Sequence, residues 1–153
     1  MQTARLPLKI FMFLALATSA GGCVTTSTPP APAPVTADCP QPKFTGRAPE
    51  EFFSRKNPLA AVDLKQGERL YFDDAPGRYS CATCHGRNGD GRGPMSSHFT
   101  PRPRHLSCVK VANIPDGQVF WTIKFGSPNT DMPAHKHFND EQIWQIVAYV
   151  RNL

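Results

Sequence analysis

The chain has 153 residues, enough for one domain with appendages, and carries a formal charge of +5. Its 17 basic residues are scattered and no nucleic-acid-reading motif accompanies them, so composition gives no support to a nucleic-acid binder. The apolar run at residues 10–17 (IFMFLALA) is too short to span a bilayer as a permanent helix.

That run follows Arg5 and Lys9 and gives way to the small residues TSAGGC, so residues 1–22 read as an export signal. Its removal takes both cations and no acids, leaving 15 basic against 12 acidic side chains and a balance of +3. Cys23 follows Ala20-Gly21-Gly22, an arrangement that resembles a bacterial lipoprotein signal, in which the cysteine becomes the first mature residue and carries lipid. Ala20 stands where that family usually has leucine, and the alternative is cleavage after Ala20 with Cys23 left as a thiol. The expected location is outside the cytoplasm, in the periplasm, anchored to a membrane through Cys23.

Residues 23–57 read as a linker and packing strap. The stretch 24–42 is rich in Pro, Ala and Thr, a composition that favours extended polyproline conformation. Roughly twenty such residues reach on the order of 60 Å, a tether long enough for a domain to swing above a membrane. Residues 43–57 hold Phe44, Phe52 and Phe53, expected to lie against the domain surface. Cys39, at the end of the tether, and Cys108 form a candidate disulfide in an oxidising compartment; the alternative is two separate buried thiols.

The compact domain is expected over residues 58–153, all-α, with three helices. The first begins at Asp63, which pairs with Gln66 as a cap, and Gly67, Leu70 and Tyr71 mark one face. The second follows Asp116 as N-cap, carries Val119, Phe120 and Ile123 on one stripe, and stops near Gly126. The third is capped by Asn139, with Ile143, Ile146, Val147 and Val150 at i, i+3, i+4 and i+7. Between the first two lies a stretch dense in Gly, Pro and Arg, roughly 86–115, too long for a small domain unless something fills the middle. A large prosthetic group would supply that core.

Cys81-Ala82-Thr83-Cys84-His85 is the motif that could hold one. Zinc needs a second ligand pair of similar spacing, and Cys39 and Cys108 stand alone. A thioredoxin-type dithiol needs a strand before and a helix after, whereas GRNGDGRGPM follows here. Covalent haem c attachment needs two thiols for the vinyl groups and an adjacent histidine beneath the iron, which assigns Cys81 and Cys84 to thioethers and His85 to the iron. Export agrees, because bacterial attachment occurs outside the cytoplasm. The glycines that follow lack the Gly-Lys-Ser/Thr of a phosphate cradle.

From about residue 63 to 153 the chain resembles the mono-haem class I cytochrome c family: a helix before CxxCH, a glycine-rich loop, a Met-Pro pair and a final helix ending AYVRNL. Gly67 and Tyr71 stand where that family crosses its first helix against its last, with Ile146 and Tyr149 as partners. The resemblance implies an all-α fold of short helices wrapped around one haem. It also implies that Met132, in TDMPAH, is the second iron ligand and that the Pro94 carbonyl accepts the Nδ1 proton of His85. Met95 lies only ten residues from His85, in the loop that supports the proximal side, while His135 and His137 are the competing ligands near Met132. Arg102, Arg104 and Trp121 are candidates for hydrogen bonds to the haem propionates, and His98 and His105 are read as surface or propionate-side residues.

With histidine and methionine both on the iron, the implied chemistry is one-electron transfer with redox proteins of the periplasm or membrane, with no catalytic residues. Two other readings stand beside it: a dedicated haem subunit of a larger membrane oxidoreductase, and a ligand-binding or peroxidase-like haem protein with a labile methionine.

Overall fold

The structure, a computed structural model, describes residues 46–153 apart from 74, 76, 77, 109, 110 and 112. Among the described residues there are five α-helices and no strand: α1 (Glu50–Phe53), α2 (Leu64–Tyr71), α3 (Cys81–His85), α4 (Asp116–Phe125) and α5 (Asp140–Val150), with a 3-10 turn at Ser96–His98.

The caps fall close to where side-chain chemistry predicts them. Asp63 caps α2 by accepting from the Gln66 amide at 3.0 Å, and its own N–H donates to the Gln145 side chain of α5 at 2.9 Å. Asn139 and Gln142 form a reciprocal capping box on α5. Asp116 departs from expectation. It is the first residue of α4, behind Pro115, and makes no cap bond, because its carboxylate accepts from Arg151 Nε at 2.8 Å instead.

The core forms where α2 crosses α5. Gly67 makes that crossing close: a Cβ there would overlap the Gln145 carbonyl and stand 2.8 Å from Tyr149 Cβ. Tyr71, fully buried, packs on Tyr149 at 5.3 Å, and its hydroxyl donates to the Gly86 carbonyl at 2.7 Å, tying α2 to the end of α3. Helix α4 joins through Phe120, stacked on Trp144 at 4.4 Å.

The strap meets α4 through Phe52, while the Phe53 ring lies under the Arg47 guanidinium. Phe52 stacks on Phe120 at 6.3 Å and meets Phe125 edge-on at 5.5 Å. Gly117 leaves room for the strap backbone: its N–H donates to the Arg55 carbonyl at 3.0 Å, and a Cβ there would strike the Phe52 carbonyl. Buried Gln118 completes the seam by accepting from the Ala48 N–H at 2.7 Å. Phe44 lies outside the described residues.

Candidate haem site

Helix α3 is one short turn with its ligating groups on one side. Ser80 starts it by accepting from the Thr83 amide at 3.2 Å, and Gly86, at φ +83°, ends it. Spacings of three and four residues place Cys81, Cys84 and His85 together on the same cavity wall. The loop then runs back along the helix, and the amides of Gly91, Gly93 and Met95 donate to the carbonyls of His85, Cys84 and Thr83 at 2.8, 3.1 and 3.0 Å. These are the carbonyls a helix end leaves unpaired. Only glycine fits at 93, where a Cβ would stand 2.6 Å from the Ala82 carbonyl and overlap that of Thr83.

This return path corrects the expectation for Pro94. The segment at 93–95 is occupied with the far carbonyls of α3, and Pro94 is exposed. The chain comes back at 103–106, crosses Gly91, and presents the Arg104 carbonyl to His85 Nδ1 at 2.9 Å. Nineteen residues separate the two, so nothing local in the sequence marks the contact. Burial lowers the His85 pKa against the opposing pull of this bond, so the ring is neutral, with Nδ1–H donating and the Nε2 lone pair left for a metal.

Burial also pushes the Cys81 thiol up to about 12 and raises that of Cys84. Both are free cysteines, protonated at neutral pH, the reverse of the acidic thiol a redox dithiol uses.

The cavity they face measures about 420 Å³. Its other walls include Met132, Pro133 and His135 from the loop before α5, Ile146 and Val150 of α5, and Ile123 of α4. Met95 is not among its lining residues. Arg102 and Arg104 line it, while Trp121 does not, its ring packing near Phe125 at 6.0 Å. His98 and His137 are exposed, and His105 is bonded to Ser107 at 3.0 Å.

His135 is different. It is 8% exposed, lines the cavity, and has no hydrogen-bond partner for its ring among the described residues. Burial, then the nearby His137 and His85, lower its pKa to about 4.

Cys108 is buried and disulfide-bonded. Cys39, expected as its partner, and Cys23, the expected lipid site, lie outside the described residues. No described helix is long and apolar enough to cross a membrane.

The donor set fits haem c: two neutral thiols three residues apart, an imidazole with one nitrogen tied and the other unengaged, and a largely apolar cavity in front of them. The comparison with protein families agrees. The family described as Cytochrome c matches residues 64–153, more than half of the chain. The chain belongs to the cytochrome c family, an all-α domain that binds haem c covalently through its CxxCH motif and transfers electrons through it.

Among solved structures, a chain of the Kuenenia stuttgartiensis reducing HAO-like protein complex is similar, at 27% identity and a TM-score of 0.48. The match covers 59% of this chain and 41% of that one. No curated protein sequence matches the chain.

Proposed function

We propose that His85 and Met132 are the two axial ligands and that the protein is an exported, membrane-tethered carrier of single electrons. The observation that carries the ligand assignment is that Met132 lines the same cavity as Cys81, Cys84 and His85. Its backbone is set by a small turn: Met132 N–H donates to Thr130 Oγ1 at 3.2 Å, and its carbonyl accepts from the Ser127 amide at 3.1 Å.

When bound, the haem supplies the Fe(II)/Fe(III) exchange, and thioether ligation favours the reduced state. The protein's part would be to hold His85 through the Arg104 carbonyl, to offer the Met132 sulfur, and to line the cavity with the apolar side chains of Ile123, Ile146 and Val150, which would keep water from a bound haem. No proton has to move, because His85 is already neutral with Nδ1 committed. The thiols of Cys81 and Cys84 would each add across a vinyl group of the haem, sulfur to one carbon and hydrogen to the other, and so hold it covalently.

A lipid on Cys23 and the Pro/Ala-rich tether would confine the domain near the membrane and raise its effective concentration there. The partners are redox proteins of that volume, either exchanging freely or fixed in one oxidoreductase assembly. The ligand assignment is tested by Met132→Ala: the oxidised holoprotein should lose the weak red-edge absorption band of sulfur ligation, and an unchanged band would discard it. Mass spectrometry of the mature N-terminus tests the anchor, and copurification of the haem with a catalytic chain would turn the carrier into a subunit.

A further inference from the structure

We propose that His135 is a second distal iron donor, which replaces Met132 when the thioether leaves and keeps the iron six-coordinate between two histidines. The inference rests on the Met132 assignment and adds a second state to it. His135 follows Met132 by three residues on one loop, and both side chains line the cavity that His85 faces. Its ring is more than nine-tenths buried, stacks on Phe138 at 6.0 Å, and makes no hydrogen bond to any described residue. Turning it toward the iron therefore breaks no ring hydrogen bond to a described residue.

The other histidines in reach of the loop lack this combination. His137 is exposed, its ring touching His135 and Phe138. His105 is already bonded to Ser107.

The exchange is balanced without another reactant. The iron–sulfur bond to Met132 breaks, a bond from an imidazole nitrogen of His135 forms, and no electron changes hands. A neutral imidazole binds a metal through its nitrogen lone pair, so no proton is released. The consequence is a change of potential, since methionine ligation raises it and a second imidazole does not. One chain would thus hold two redox set points, selected by whichever loop residue occupies the iron.

The test uses the full-length haem-loaded protein and two variants, Met132→Ala and Met132→Ala/His135→Phe, read by optical and electron paramagnetic resonance spectra and by redox titration. Met132→Ala should lose the red-edge band yet stay low-spin with a lowered midpoint potential. The double variant should become high-spin, and added imidazole should return it to the low-spin spectrum of the single variant, which shows the pocket is intact. A high-spin Met132→Ala protein would overturn the proposal while leaving Met132 as the ligand. So would a low-spin signal that survives in the double variant, or a double variant that imidazole does not restore. Retention of the red-edge band in Met132→Ala would instead discard Met132 itself, and the exchange with it.

Discussion

The wall that carries Cys81, Cys84 and His85 is stitched by backbone: three amides of the returning loop close the end of α3, the segment at 103–106 delivers the Arg104 carbonyl, and Gly93 sits where no side chain fits. The wall that carries Met132 and His135 is held by a four-residue turn with one hydroxyl, Thr130 Oγ1, at its centre, and by the His135 amide on the Ile123 carbonyl at 3.0 Å. One side has a single geometry set by main-chain atoms. The other, in the reading proposed above, would present two donors, Met132 and His135, on one loop beside the cavity. A haem protein that must keep its cofactor yet adjust its potential benefits from placing permanence on the first side and choice on the second.

The largest test of this contrast is Cys81→Ala/Cys84→Ala, which should abolish covalent haem, read as haem-stained protein on a denaturing gel, whereas substitutions on the Met132 wall should leave it intact. Covalent haem in the double alanine variant would mean the attachment lies elsewhere.

Next comes acidity. The His135 pKa falls from 6.5 to about 4 on folding, so between those values the unfolded chain takes up a proton that the fold refuses. The stability tied to the neutral ring is whole above about pH 6.5 and drains away toward pH 4. Urea midpoints of the holoprotein at pH 7 and 4.5 should differ less in His135→Phe than in the wild type. Equal slopes would place the acid sensitivity in other groups.

Gly93→Ala should cost about 1–3 kcal/mol through overlap with the α3 carbonyls, again read from the urea midpoint. A neutral result would show that the proximal wall yields more than its packing implies. Smallest is Thr130→Val, which removes both bonds of the hydroxyl and weakens the Met132 turn by about 1 kcal/mol. Carbon monoxide should then bind the reduced protein about fivefold faster if opening of this turn limits access. An unchanged rate would move the gate away from Thr130.

The sequence showed most of the scaffold because α2, α4 and α5 are long enough to display caps and a repeating apolar face. It did not show α1 or α3 as helices, since four or five residues hold barely one turn and no period. Within the site, CATCH was legible because its chemistry is local: thiols and imidazole adjacent in sequence serve one cofactor. The carbonyl that fixes His85 was not, because a main-chain oxygen has no residue signature and any amino acid at 104 could offer it. His135 was visible as a nearby histidine, but its burial in the cavity wall, with no hydrogen-bond partner for its ring among the described residues, is something only the packing reveals. Asp116 shows the same limit from the other side, a good cap residue drawn off by Arg151.

The seam between the strap and α4 bears on how this domain can be cut out and handled. The stretch that matches the family starts at residue 64, yet Gly117 and Gln118 are shaped around Ala48, Phe52 and Arg55. Gln118 also lines the haem cavity. A fragment trimmed to the family boundary would uncover Phe120 and strand a buried amide beside the cofactor, so the autonomous folding unit begins ahead of α1.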